Sequence, residues 1–547
     1  NPNFAPDEQV QVKACCRQAK HRNPNRKGRP RDQRDSHTEL ESARLLDHDE
    51  KVPEYWHANG AVNLRRLLRY VSITYLGAEG EIEPPLIIPE SGYYHPDHED
   101  VYQDIELYKK ETGWELGSPV AALLMHQSFW ITEDTKVINA EIKGLEDQGF
   151  NVAAIFAENP VKLREMIIAA KPDIIVEDRH GSTWEGEGKK TFLEEMDKPY
   201  LRPISMLAYT IQEWKDDPRG LAYRDVSHFI TLQETKGTIE PTVVGGLISS
   251  IAGFRIHEPI YERIDHFARR ASKWVQLQRK KNADKRVAII YYSKDTGKDD
   301  LFRGSPTGAF MDGPESLVRF LPKMKQEGYK VEPLPKNAED ILQQAKDHGR
   351  NIGPWAQGEL ERVADLPGTV LVPLDQYQSW YNTKLNANLR EAVEKKFGPP
   401  PGKFMTVTRN EKQYIVLPGI KLGNVILAPQ PVRGEKEDAK LLHSRDVPPP
   451  HNYLCFYWWL QEVFKADAIM HWGTHGSLEL LPGKEAGLTA EDWSDICTGT
   501  MPVINPWIMD NIGEATLSRR RSYAALVDHV PPPALAAMSA ISLAAST

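Results

Sequence analysis

Residues 120 to 176 read VAALLMHQSFWITEDTKVINAEIKGLEDQGFNVAAIFAENPVKLREMIIAAKPDIIV, and their periodicity decides the fold. Val120 to Met125 is a short apolar run, the mark of a buried strand, and Thr135 to Gln148 carries the three-and-four spacing of an amphipathic helix. Asn151 to Phe156 is a second strand, Pro160 to Ala170 a second helix, and Asp173 to Val176 a third strand. Strands alternating with helices in this way give a parallel, doubly wound sheet. A second copy of the pattern follows: strand Arg286 to Tyr292, helix Gly313 to Glu327 after a loop rich in Gly and Pro, and strand Lys330 to Pro333. Between the copies lies Arg263 to Arg286, a stretch of helical character dense in Lys and Arg.

The expected fold class is therefore α/β and multidomain, with tandem doubly wound parallel-sheet domains and extra helical segments. Residues 1–54 are expected to be a flexible basic arm, and 55–115 a helical segment in which Leu64, Leu67, Leu68 and Val71 form an apolar stripe. Residues 116–285 and 286–430 are expected to be the two α/β domains. Residues 431–547 form a last segment in which helix Tyr453 to Phe464 feeds strand Ala466 to Met470.

A chain of 547 residues has room for about three to five such domains. Its 40% hydrophobic and 27% charged content, with a formal net charge of −9, exclude wholesale disorder, collagen and a protein that coats nucleic acid. Arg17 to Arg34 holds eight Lys and Arg against one Asp, too polar to bury a core, and reads as a solvated arm. Cys15, Cys16, Cys455 and Cys497 form no C-x-x-C pair, which fits a reducing, cytoplasmic setting. The Ala- and Ser-rich run Ala534 to Ser546 falls short of the roughly 20 apolar residues a bilayer span needs.

Familiar cofactor and nucleophile signatures are missing. Gly398 to Phe404 (GPPPGKF) and Gly186 to Thr191 (GEGKKT) fail the spacing of a phosphate-cradling P-loop, and no G-x-G-x-x-G follows a strand. H-E-x-x-H and G-x-S-x-G are absent as well. The dense cluster of reactive side chains is Ala466 to Leu488, ADAIMHWGTHGSLELLPGKEAGL. His471 ends an apolar strand, and His475 and Glu479 follow at four-residue intervals. The two glycines favour a strand-to-loop-to-helix turn with Ser477 as N-cap. Such a turn places all three groups at the carboxyl end of a parallel strand, where open α/β sheets bind ligands. Imidazole and carboxylate are ligands of borderline divalent metals and exchange protons near neutral pH. Lys484 and Glu485 in the following turn, and Glu514 beside three arginines in NIGEATLSRRR, are further candidates for meeting an anionic group.

HWGTHGSLELLPGKEAGL closely resembles the H-x-G-T-H-G-[ST]-L-E-x-x-P-G-K motif of the large, tetrapyrrole-binding components of the ATP-dependent metal chelatases, cobaltochelatase and magnesium chelatase. YWHANGAVNLRRLLRYV, PPLIIPESGYYHPD, LAPQPVRG, VPPPHNYLCFYWWLQEVFKADAIMH and DNIGEATLSRRRSYAALVDHVPP resemble further landmarks of that family in the same order, so the likeness runs from Tyr55 to Pro533. It implies a ligase forming nitrogen–metal bonds, which inserts a divalent metal into a bound tetrapyrrole with AAA+ and von Willebrand-type chelatase subunits as partners, the AAA+ subunits hydrolysing the ATP. The wording favours Co2+ and hydrogenobyrinic acid a,c-diamide in cobalamin biosynthesis. Mg2+ with protoporphyrin IX, removal of iron from haem, and a non-catalytic tetrapyrrole-binding module are the alternatives. The resemblance assigns His471, His475 and Glu479 to metal handoff and proton acceptance, and Lys484, Glu485, Glu514 and Arg519 to the ring or its pocket. It implies no nucleic-acid partner and no membrane insertion. Family members are considerably longer, and Ala534 to Thr547 do not resemble their continuation, so a truncated chain is expected.

Overall fold

The computed structural model describes residues 49–98, 101–179, 192–249, 255–293, 301–302, 312–434, 444–473, 476–506 and 512–527. The basic segment 17–34 and the closing segment 534–547 lie outside them. The chain forms two compact units that divide after Ile88. In the first, helices Lys51–Ala58 and Gly60–Leu76 pair through Tyr55, Leu67 and Tyr70, with Tyr55 stacked on Tyr70. Leu64 and Leu68 of the expected stripe are exposed, because Asn63, Leu67 and Tyr70 take the inward face. Buried Asn63 accepts from the backbone of Leu86 and donates to its carbonyl, fixing the Pro-rich stretch after the helix.

The second unit holds two large sheets and one small one among the described residues. β1 (Ser91–Tyr94), β2 (Val120–Leu124), β3 (Asn151–Ala157), β4 (Ile174–Glu177), β5 (Tyr200–Thr210), β6 (Ile239–Ser249) and β7 (Arg255–Pro259) form the first, in the order β1-β3-β2-β4-β5-β6-β7. β3 and β4 flank β2 on opposite sides, the winding expected from residues 120–176. Helices Lys136–Asp147 and Tyr261–Arg279 cover one face and Pro160–Ala170 the other, each through its apolar stripe. Since β1 joins this sheet, the boundary expected after residue 115 falls instead at Ile88.

β8 (Val287–Tyr291), β9 (Val370–Pro373), β10 (Thr406–Arg409), β11 (Lys412–Leu417), β12 (Ile420–Leu422), β13 (Val425–Pro429), β14 (Ala468–Trp472), β15 (Val503–Pro506) and β16 (Ala524–Val527) follow. Six of them make the second sheet, β12-β13-β8-β14-β15-β16, and β9 to β11 form a small antiparallel sheet inserted between β8 and β13. The expected division at residue 430 is thereby corrected, because β14 to β16 extend the sheet that β8 and β13 begin. Lys330 to Pro333 is not a strand. Pro333 has no N–H to offer a ladder, and the Lys330 carbonyl instead accepts from Asn424 at the turn before β13. Among the described residues no helix is long and apolar enough to cross a membrane.

Beside the carboxyl end of β4 the first sheet holds a buried acid pair. Glu141 and Asp178 are 1% and 2% exposed, and none of their four carboxyl oxygens has a hydrogen-bond partner among the described residues. Burial drives both titrations upward, Asp178 to about 7; Asp178 opposes ionisation of Glu141, while Arg202, and for Asp178 also His257, act the other way. A carboxyl whose pKa is higher folded than unfolded binds its proton more tightly in the native state, so stability falls as pH rises from about 4 towards 7. Glu141→Gln, neutral at every pH, is expected to melt close to the wild type at pH 5 and higher than it at pH 8. Thermal denaturation at the two pH values measures this, and an equal offset at both would refute it.

Candidate functional site

β14 lies inside the second sheet, with parallel neighbours β8 and β15. Its carboxyl end presents His471, 2% exposed, and then Gly473, whose φ of 147° turns the chain out of the sheet. Thr474 and His475 lie outside the described residues. At Gly476 the backbone passes back over the imidazole: a Cβ there would stand 2.4 Å from His471 Nδ1, so the position requires glycine. Leu478–Leu480 is a single 3₁₀ turn that carries the fully buried Glu479. Ser477 precedes that turn without capping it; its hydroxyl instead lies 2.8 Å from that of Tyr453.

Tyr453 belongs to helix His451–Trp459, all nine residues of which are buried. One turn along the helix, the Tyr457 hydroxyl lies 3.2 Å from His471 Nε2. Gln430, just beyond β13, donates through Nε2 to the Tyr457 hydroxyl at 2.9 Å and to that of Tyr453 at 3.4 Å. The glutamine thus ties two phenols to the imidazole on one side and the Ser477 hydroxyl on the other. Burial pushes both phenols above their ordinary range, so each keeps its proton and serves as a neutral hydrogen-bonding group.

Two buried arginines brace the turn from outside. Arg521 donates to the carbonyls of Glu479 and Leu481, and Arg433 to that of Leu480 at 3.3 Å. Arg433 also donates to the Val447 carbonyl at 2.6 Å, linking the turn to the segment before helix His451–Trp459. Burial lowers the Arg521 guanidinium to about 10, which leaves it charged at neutral pH. The 3₁₀ turn is therefore held at its carbonyls by two fixed cations.

The other expected residues have different surroundings. Lys484 is 7% exposed and donates to the carbonyls of Lys215 and Asp217 at 3.0 and 2.7 Å, pinning the LPGKEAG loop to the segment after β5. Glu485 pairs with Arg445 at 3.0 Å, both about half exposed. Arg519 donates to the carbonyls of Glu234 and Thr238, and Arg520 pairs with the Glu234 carboxylate, so Arg521 is the arginine of the three that reaches the motif. Glu514 is half buried in the first turn of helix Ile512–Arg521. Among the described residues no three His, Cys, Asp or Glu side chains gather closely enough to hold a metal ion, and one member of the expected set, His475, is not among them. The sequence reading missed Tyr453, Gln430, Arg433 and Arg521 as parts of the site, although all four stand in quoted landmarks.

The family model described as CobN/Magnesium Chelatase matches residues 53–545. The chain belongs to this family. It is 29% identical to the H subunit of magnesium chelatase from Chlorobaculum parvum, over 88% of the chain and 37% of that protein. It is equally identical to the aerobic cobaltochelatase subunit CobN of Pseudomonas aeruginosa, over 88% of the chain and 38% of the relative. The catalytic subunit of cobaltochelatase from Mycobacterium tuberculosis superposes with a TM-score of 0.72 at 26% identity, over 88% of this chain and 40% of that one. The chain thus spans about two fifths of the length of these relatives.

Proposed function

We propose that the chain is the metal-insertion core of a chelatase large subunit, working in the cytoplasm, that places Co2+ into hydrogenobyrinic acid a,c-diamide. AAA+ subunits, working with von Willebrand-type chelatase subunits, hydrolyse the ATP, in keeping with the lack of a P-loop motif in residues 1–547. The observation that carries the reading is the family match across 53–545, with its motif histidine at the carboxyl end of an inner parallel strand. Cobalt is favoured over magnesium by the wording of HWGTHGSLELLPGKEAGL.

Metal insertion requires the ring to lose its inner N–H protons, one from a corrinoid or two from a porphyrin, and the ion to shed its waters. His471 and His475 accept protons and pass the ion, since imidazole titrates near the working pH and its nitrogen replaces a water ligand. Glu479 is the companion base or ligand. The Tyr457 hydroxyl at Nε2 fixes the plane of the His471 ring, and Gly476 leaves room over Nδ1. Glu485 and Glu514 meet the polar arms of the macrocycle. Lys484 and Arg519 act at one remove, by holding loops around the pocket.

Titration of the purified chain with hydrogenobyrinic acid a,c-diamide and with protoporphyrin IX tests this. The corrinoid precursor is expected to show a saturable absorbance shift, and Co2+ is expected to enter it when the partner subunits and ATP are added. Tighter binding of the porphyrin would transfer the chain to the magnesium branch. No shift with either ring would refute the proposal.

A further inference from the structure

The HWG turn leaves the carboxyl end of β14. The opposite, amino end borders an open groove of about 730 Å3. One wall is helix Tyr261–Arg279 with the residue after it, where His266, Arg269, Lys273, Gln276 and Lys280 follow at intervals of three and four and so form one stripe. At 1.5 Å per residue this stripe is about 21 Å long. Lys384 and Lys465 also line the groove, together with Gly499 to Met501.

The groove is positive in a chain whose formal net charge is −9. Five cations line it: Arg269, Lys273, Lys280, Lys384 and Lys465. Its carboxylates are already engaged. Asp467 accepts from Lys280 at 2.7 Å, Glu462 pairs with Lys384 at 2.6 Å, and Asp495 is held by Arg263 at 3.1 Å. Burial keeps His266 neutral, at about 3. Lys273 and Lys465 have no carboxylate partner among the described residues. Arg269 pairs with exposed Asp265 at 3.0 Å; such pairs are worth at most about 1 kcal/mol each and exchange readily, so Lys384 and Arg269 can turn to a guest.

We infer that this groove docks an acidic segment of a partner protein. A length of about 21 Å accepts roughly six extended residues at about 3.3 Å each, with side-chain carboxylates reaching the groove's cations. Single-stranded nucleic acid fits less well, because no Phe, Tyr or Trp lines the groove for a base to stack on. The position suits communication. Lys465 to Asp467 lead directly into β14, so a partner held there touches the strand that carries His471 at its far end. The inference stands apart from the identity of the ring or metal.

Fluorescence anisotropy with a labelled peptide alternating Glu and Ser tests it on the full chain. Saturable binding that weakens on going from low to physiological salt is expected. The double reversal Lys273→Glu with Lys465→Glu is expected to weaken it by about tenfold or more, whereas Lys395→Glu with Lys412→Glu, exposed lysines elsewhere, leaves it unchanged. Three results would overturn the inference: no binding at low salt; binding that survives the groove reversal but is lost when the cations of residues 17–34 are neutralised; or tighter binding, through the same two lysines, of oligothymidylate of equal charge. Lys273→Gln with Lys465→Gln provides a milder variant, and circular dichroism checks that every variant is folded.

Discussion

Arg270→Met is expected to destabilise the second unit by about 3 to 5 kcal/mol, lowering the thermal midpoint by roughly 3 to 5 °C in a unit of this size. Arg270 is 1% exposed and pairs with the fully buried carboxylate of Glu240 on β6 through both Nε and Nη2. The same carboxylate accepts from Trp274 Nε1 at 2.7 Å. Arg270 Nη1 reaches across to the Gly499 carbonyl, and its guanidinium lies 4.3 Å from the centre of the Tyr523 ring. One side chain thus ties the first sheet to the segment between helix Trp493–Thr498 and β15. Glu240 also stands at a φ of 62°, a left-handed conformation that a non-glycine residue keeps only where its surroundings hold it.

Methionine fills much of the volume but leaves the carboxylate buried without its cation, and that orphaned charge is the main cost. The double variant Arg270→Met with Glu240→Gln removes the charge as well and is expected to recover more than half of the loss. Denaturation of the two single variants and the double one completes the cycle. Strict additivity would mean that Arg270 and Glu240 are not coupled, and would rule out the orphaned charge as the source of the loss.

How much of this was legible in sequence depended on the strength of local pattern. The βαβαβ run was legible because its strands are buried on both faces and its helices on one, so the periods differ sharply from 120 to 176. The unity of the second sheet was not. β8 and β14 are neighbours separated by nearly two hundred residues and by the insertion that carries β9 to β11, and no local period records which strands pair. The two tyrosines were hidden for a different reason. Helix His451–Trp459 is apolar and buried all round, so no amphipathic stripe marked the side facing His471. Among Arg519, Arg520 and Arg521, each step turns the helix by about 100°, and only the packing decides which guanidinium reaches the Glu479 carbonyl. The glycines gave the plainest local signal, and the 2.4 Å approach at Gly476 supplies its physical cause.

The same approach sets up the largest functional effect. Under the proposed function, His471→Ala is expected to lower metal insertion by about 10² to 10⁴-fold, the range for losing a positioned proton acceptor, while ring binding changes by less than about threefold. The separation follows from position: His471 is buried at the strand end, bonded to Tyr457 and overlain by Gly476. His471→Gln keeps a hydrogen-bonding group of similar bulk beside Tyr457 and is expected to fold normally, which separates lost chemistry from a cavity. Gly476→Ala leaves the imidazole in the chain but forces the ring or the loop to move away from the added methyl, and is expected to reproduce most of the alanine defect. Tyr457→Phe removes one buried hydrogen bond, about 1 kcal/mol, and is expected to slow insertion by no more than about tenfold. Single-turnover insertion assays, with ring binding measured separately by absorbance, rank the four. If His471→Gln and Gly476→Ala insert metal at the parental rate, the imidazole is a packing element, and the chemistry must be sought in His475 and Glu479 alone.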